Sequence, residues 1–403
     1  MTTATDRRDG LLPPASSRVA VGTGRRLVVK VGSSSLTTAA GGLDPSRLDA
    51  LVDAVAARAA HGSQVVLVSS GAIAAGLAPL HLARRPRDLA TQQAAASVGQ
   101  QQLAARYALS FARHGLTVGQ VLLTSDDVVR RSHYRNAQRT FDKLLSYGVV
   151  PVVNENDTVA TAEIKFGDND RLAALVAHLV RADALVLLSD VDALYTGAPS
   201  DPRSVPVREV SGQDQLERIT IADTAGDVGT GGMASKLTAA ATATSAGIPV
   251  LLASAESAFQ VLTPSAGGPT IGTAFTASTR RTGTRLLWLR YAATALGSLV
   301  LDPGAVAAVA GRRKSLLPAG ILAAHGDFES GDVVELTDVD GVAVARGFVS
   351  YDAAELPGII GRQLSELPAA RRRPVVHADD LVMMAAGAAV SSPGFLIDEP
   401  EQP

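Results

Sequence analysis

The sequence predicts an α/β fold, a mainly parallel sheet sandwiched by helices and followed by a small β-rich domain, and three observations carry that reading. Short runs of Val and Leu alternate with longer helical patterns between Arg26 and Leu252, as expected of strands buried on both faces between crossover helices. Nearly every run ends in small or polar side chains, and open α/β sheets bind their ligands beyond the carboxyl ends of the strands. Past residue 286 the helical pattern gives way to short apolar segments at close spacing, which predicts a separate strand-rich unit.

With 403 residues and 46% hydrophobic content the chain can bury more than one core. Residues 1–25 are polar and carry Arg7-Arg8 without a following apolar stretch, so they read as a disordered tail and not as a signal peptide. Arg26 to Val31 is the first strand, running into Gly32-Ser33-Ser34-Ser35, and Asp44-Pro45 opens a helix with apolar positions Leu48, Leu51, Val52 and Val55. Gln64 to Val68 is the second strand and ends in Ser69-Ser70-Gly71-Ala72. Loops so poor in side chains let a ligand reach backbone N–H groups, and a helix N-terminus beyond them favours an anion.

Residues 88 to 113 read as a long Ala/Gln-rich helix, Thr117 to Leu123 as a strand, Arg135 to Leu145 as a helix and Val149 to Val153 as a strand. Ala184 to Leu188 is a further strand, ending in Ser189-Asp190, and a helix from Met233 to Ala246 leads to a strand from Ile248 to Leu252. The first domain is therefore expected over residues 26–276, a linker over 277–285, the strand-rich domain over 286–385 and a second tail over 386–403. Strands in the second domain are expected at Gly297 to Leu301, Asp332 to Leu336, Val342 to Val349 and Pro374 to Val376.

A formal charge of −2 provides no global reason to expect nucleic acid or an acidic membrane as partner. The absence of cysteine excludes disulfides, thiolate catalysis and Cys-ligated metals, and the seven histidines include no His-x-x-x-His pair. No apolar run reaches membrane-spanning length without Gly, Pro or charge, and the expected location is cytoplasmic. Of 37 basic residues only five are lysines: Lys30, Lys143, Lys165, Lys236 and Lys314. Lys30 and Lys236 adjoin Gly/Ser-rich loops, where a compact, mobile ammonium suits a phosphate being transferred better than a planar guanidinium does.

Two polar clusters, Asn154-Glu155-Asn156-Asp157 at a strand's end and Asp168-Asn169-Asp170 before the helical pattern Leu172, Leu175, Val176, Leu179, flank one loop. Capping and turn formation is the plain reading of such residues, and a calcium loop lacks its alternating ligands, central Gly and distal Glu here. In Gly229-Thr230-Gly231-Gly232-Met233-Ala234-Ser235-Lys236 three glycines leave N–H groups free to face phosphates. It is not a Walker A loop, because no Gly precedes the Lys. Gly229-x-Gly231-x-x-Ala234 matches a dinucleotide fingerprint, but a polar loop separates Gly229 from the candidate strand Ile219 to Ala222, so hydride transfer is the weaker reading. Phosphoryl transfer needs cations on the phosphates, an aligned acceptor and a device that holds the cations. Lys30 and Lys236 supply the cations, Asp170 can orient both, and Ser70, Asp157 and Asn169 can hold an acceptor that carries an ammonium.

These stretches, with Lys30 to Leu36, Val68 to Gly76 and Gly167 to Asp170, resemble the amino acid kinase family, and Ser315 to Ile321 resembles the PUA domain that many such kinases carry. The resemblance implies the amino acid kinase fold and ATP-dependent phosphorylation of the side-chain carboxylate of L-glutamate to L-glutamyl 5-phosphate, the first step of proline biosynthesis. It implies that Lys30 and Lys236 stabilise the transferring group, Asp170 organises them, and Ser70, Asp157 and Asn169 bind glutamate. ATP would be bound by Lys30, Ser189, Asp190, Thr230, Gly231, Gly232, Met233, Ala234, Ser235 and Lys236, with Mg2+ borne by the nucleotide and no protein metal site. The family usually shows Thr where this chain has Ser189, and both carry a hydroxyl. Also implied are proline as feedback inhibitor, a homo-oligomer, and glutamate-5-semialdehyde dehydrogenase, the next pathway enzyme, as a partner.

Two alternatives accompany that reading. PUA folds elsewhere bind RNA, and Arg312-Arg313-Lys314 and Arg371-Arg372-Arg373 are basic clusters; yet residues 296–385 hold eight Lys or Arg against twelve Asp or Glu, a net of −4, the wrong sign for a phosphate backbone. The other is an acyl-phosphate-forming kinase of a different small carboxylate.

Overall fold

The computed structural model describes residues 16–38, 42–124, 127–128, 131–159, 169–197, 201, 203–212, 215, 232–278, 289, 295–312 and 314–384. The chain forms two compact units, Met1–Leu287 and Trp288–Pro403.

The first unit contains β1 (Arg26–Val31), β2 (Gln64–Ser69), β3 (Val118–Leu123), β4 (Val150–Glu155), β5 (Ala184–Ser189), β6 (Leu194–Tyr195), β7 (Pro206–Val207), β8 (Glu209–Val210), β9 (Val250–Ser254) and β10 (Thr273–Phe275). Eight of them make one sheet in the order β3-β4-β2-β1-β5-β9-β10-β8, while β6 and β7 form a separate ribbon. The pairings from β3 across to β9 are parallel, and β10 turns antiparallel against β9. Every residue of β4 and β5 is buried, which explains why Val150 to Val153 and Ala184 to Leu188 read as continuous apolar runs and not as alternating ones.

Side chains alternate across the sheet, and that alternation divides the core from the chemistry. Leu27, Val29 and Val31 of β1 share a cluster with Val65, Leu67, Val186 and Leu188 and with the helix Pro45–Ala60 through Leu48, Leu51, Val52 and Val55. That helix starts as its sequence predicts: the Asp44 side chain accepts from the N–H groups of Ser46 and Arg47 at 3.0 and 3.2 Å, and Pro45 presets φ in the first turn. The helix Leu89–Ala112 covers the same face through Leu103, Tyr107 and Phe111, spaced four apart. Lys30, between Val29 and Val31, is thereby directed to the other face, which the helices Asn169–Leu179 and Met233–Ser245 cover.

The tail expected over residues 1–25 is corrected from residue 16 onward. Ser17–Thr23 is a helix with Val21 fully buried. Its reason lies far off in sequence: the Arg18 guanidinium donates to the carbonyls of Pro269, Ile271, Arg208 and Gly272 at 2.7 to 2.9 Å. Residues 1–15, most of the expected linker and the tail beyond 385 lie outside the described residues.

The second unit holds β11 (Gly297–Leu301), β12 (Ile321–Gly326), β13 (Val333–Thr337), β14 (Ala343–Val349) and β15 (Val376–Met383), in the order β12-β11-β13-β14-β15. Leu299, Leu301, Val334, Leu336 and Ala345 build its core together with Tyr351 and Leu356. Strand β12 and the helix Pro303–Arg312 were not expected, and β15 runs well past the expected Pro374 to Val376. Both misread strands are edges of the sheet; Leu322 is 54% exposed on β12, and Asp379 and Asp380 interrupt the apolar pattern of β15.

Candidate active site

The polar ends of β1, β2, β4 and β5 meet at one place. The chain builds β2 and then β4 on one side of β1 and returns with β5 on the other, which makes β1 the point where strand order reverses and a crevice opens. A cavity of about 300 Å³ lies there, lined by Lys30, Gly32, Ser33, Ser34, Ser70, Asn154, Glu155, Asp157, Asn169, Asp170, Ser189, Asp190 and Lys236 among others.

Lys30 Nζ lies 2.5 Å from Asp170 Oδ1, and Lys236 Nζ lies 3.3 Å from Asp170 Oδ2. The three side chains are 5%, 10% and 1% exposed for Lys30, Lys236 and Asp170. Asp170 stands in the first turn of the helix Asn169–Leu179, where the helix dipole favours a carboxylate. Lys236 stands in the first turn of the helix Met233–Ser245. Within the trio two cations face one anion with little exposure to water, where charge acts strongly, while Glu155, Asp157 and Asp190 add carboxylates elsewhere on the lining.

That second helix begins at Gly232, which has no side chain to cap it, and a helix N-terminus capped by no side chain of its own suits an anion. Ser235 Oγ, in the same turn, is buried without a hydrogen-bond partner among the described residues, as is Ser35 Oγ beyond β1. Ser189 closes β5 and donates to Asp190 Oδ1 at 2.9 Å. Gly71 has φ 113°, a conformation that L side chains rarely adopt, and it turns the chain from Ser70 into the helix Ala72–Leu77.

The amide nitrogen of Asn169 donates to Ser70 Oγ at 2.9 Å, to Asn154 Oδ1 at 2.7 Å and to the Ser69 carbonyl at 3.2 Å. Its carbonyl Oδ1 is buried with no hydrogen-bond partner among the described residues. A buried acceptor left bare is costly unless something supplies a donor, and an ammonium-bearing ligand would. Asp157, half-buried in the turn after β4, lines the same cleft.

Of the residues singled out from sequence, Lys30, Ser70, Asp157, Asn169, Asp170, Ser189, Asp190 and Lys236 thus line one cleft, and Gly232, Met233, Ala234 and Ser235 open the helix that carries Lys236. Thr230 and Gly231 lie outside the described residues. Sequence reasoning missed Arg85, which lines the cleft from an exposed loop; it sits among other arginines and prolines, where nothing local marks it. Among the described residues no group of three or more His, Asp or Glu converges to hold a metal, and no helix is long and apolar enough to cross a membrane.

A model of the amino acid kinase family matches residues 25–254, and a PUA domain model matches residues 297–369. The chain belongs to the amino acid kinase family. Curated relatives are more particular: it is 62% identical over 365 residues to glutamate 5-kinase of Salinispora arenicola, covering 89% of this chain and 98% of the relative. Glutamate 5-kinase of Streptomyces coelicolor is 62% identical over 376 residues, 92% and 99% of the two chains. That of Nocardia farcinica is 60% identical over 368 residues, 91% and 99%.

Proposed function

We infer that the chain acts as a glutamate 5-kinase, transferring the γ-phosphoryl group of ATP to the side-chain carboxylate of L-glutamate to form L-glutamyl 5-phosphate, the first step of proline biosynthesis. The observation that carries the chemistry is the buried trio Lys30, Asp170 and Lys236 in a cleft that also holds a bare amide acceptor. A carboxylate oxygen of glutamate forms the new bond to the γ-phosphorus, and the bond from that phosphorus to the β–γ bridging oxygen breaks, its electron pair leaving with ADP. A γ-carboxyl group with an ordinary pKa of about 4.3 is already ionised at neutral pH, so no general base is required. What the reaction needs is charge stabilisation on the migrating group. Lys30 and Lys236 provide it, and Asp170 holds the two ammonium groups close together against their mutual repulsion.

Ser70, Asp157 and Asn169 hold the amino-acid end of glutamate, with the Asn169 carbonyl and the Asp157 carboxylate facing its ammonium. Ser189, Asp190 and the stretch Thr230 to Lys236 hold ATP. Both oxygens of Asp170 face ammonium groups, so the donors at hand suit a magnesium ion that arrives on the nucleotide. Bound there, magnesium supplies further charge neutralisation on the phosphates. Residues 26–276 form the kinase domain in this reading and residues 286–385 the PUA-like domain. A cytoplasmic homo-oligomer inhibited by proline, passing its labile acyl phosphate to glutamate-5-semialdehyde dehydrogenase, completes it.

Hydroxylamine traps an acyl phosphate as a coloured hydroxamate. Protein, ATP and magnesium are expected to give hydroxamate with glutamate and much less with aspartate or N-acetylglutamate. Colour with another carboxylate and none with glutamate would reject the assignment.

A further inference from the structure

Beneath the cleft runs a relay of three side-chain amides whose sense is set by the backbone. Asn154 Oδ1 accepts from the backbone N–H of Glu155 at 2.9 Å, which turns the amide nitrogen of Asn154 the other way, onto Gln100 Oε1 at 2.8 Å. Asn169 donates into Asn154 Oδ1 and the Ser69 carbonyl. Reversing Asn169 would set its carbonyl against those two acceptors, so the amide sense is fixed and Oδ1 is the atom left buried without a hydrogen-bond partner among the described residues.

Gln100 belongs to the helix Leu89–Ala112 and is not among the side chains that line the cleft. Its reach depends on the residue before it: a Cβ at Gly99 would lie 1.8 Å from the Ala72 carbonyl oxygen, so only glycine lets the helix come this close. Tyr107, lower on the same helix, bonds Ser69 Oγ at 2.8 Å and is fully buried. One helix therefore steadies the Ser69 end and the Asn154 end of the relay together.

We propose that Gln100 is a positioning residue that holds the Asn154–Asn169 amide pair so that the Asn169 carbonyl meets the substrate's α-ammonium, and that it thereby sets the preference for an α-amino acid over a plain dicarboxylate. The proposal rests on the reading of the cleft as a glutamate site. Without the Gln100 acceptor, the amide nitrogen of Asn154, which is 2% exposed, is left without its bond; Asn154 then turns to find another acceptor, and Asn169 loses the partner that fixes it.

The test compares glutamate with glutarate, which has both carboxylates and no ammonium, in the hydroxamate assay and as a competitor. Gln100→Leu is expected to raise the KM for glutamate about ten- to hundredfold. The KM for ATP and the inhibition constant of glutarate should stay within about twofold of wild type, and Gln100→Glu, which keeps an acceptor oxygen, should recover most of the lost affinity. An unchanged KM for glutamate in Gln100→Leu overturns the proposal, as does an equal loss toward glutarate, the mark of general damage. If Gln100→Leu does not fold by circular dichroism, Gln100→Met, closer in length and equally without an acceptor, is read against the same outcomes. Absence of glutamate-dependent hydroxamate in the wild type is a separate result and rejects the glutamate reading itself.

Discussion

Two clusters in the first unit pair acid with base at similar distances and differ in their access to water. In Lys30–Asp170–Lys236 the contacts are 2.5 and 3.3 Å and the side chains are at most 10% exposed. On the outer helices Asp49 meets Arg106 at 2.6 Å, and Asp53 meets Arg113 and His114 at 2.7 Å, with exposures between 25% and 45%. Water and salt screen the second cluster, so each of its Asp–Arg pairs stabilises the fold by about 0.2–1 kcal/mol. In the first, desolvation offsets much of the attraction, and a buried ion pair of this kind is poor ground for stability. Its presence is better explained by chemistry, since unscreened cations act most strongly on a migrating phosphoryl group.

The comparison can be broken at several points. Asp170→Asn removes the anion and leaves two ammonium groups facing each other in the interior; a loss of about 3–5 kcal/mol in urea unfolding is expected, together with loss of turnover. A loss under 1 kcal/mol would mean that the trio is more hydrated than its burial indicates. Arg58 is an instructive intermediate: 1% exposed, it donates to the Gly24 carbonyl at 2.7 Å, the Leu262 carbonyl at 3.1 Å and Ser63 Oγ at 2.8 Å, and burial lowers its pKa. Lysine cannot reproduce that fork, so Arg58→Lys should cost about 1–3 kcal/mol while leaving the kinetic constants unchanged.

The smallest effect belongs to the exposed cluster. The Asp49 carboxyl is held below its ordinary value chiefly by the Ser110 hydroxyl, at 2.6 Å, and also by Arg106 and Arg113. A depressed carboxylate pKa contributes stability above the unfolded-state value of about 3.9, and the contribution is lost as pH falls through the folded-state value. Asp49→Asn should therefore differ from wild type by under about 1 kcal/mol at pH 7, and the difference should shrink in unfolding measured below about pH 4.

The central fold was legible because β1, β2, β4, β5 and β9 are apolar along most of their length, and Asp44-Pro45 marks its helix with local chemistry alone. The site was legible as residue types at strand and helix ends. That Lys30 and Lys236 share one carboxylate depends on strand order and on the face to which Lys30 points, neither of which a local pattern encodes. The helix Ser17–Thr23 escaped notice because Arg18 anchors it through carbonyls about 190 and 250 residues away. Gln100 was hidden differently: one glutamine in an Ala/Gln-rich helix acquires meaning only once Gly99 is seen against Ala72. Edge strands β12 and β15 lack the second buried face that makes the central strands readable.

Lys236→Arg tests the account most directly, because it keeps the charge and changes only its geometry. Measured in single turnover at saturating ATP and glutamate, the variant is expected to transfer phosphoryl about a hundredfold or more slowly than wild type, with its unfolding midpoint little changed. A rate within about threefold of wild type would contradict a transferring role for the buried trio and leave Lys236 as a structural cation only.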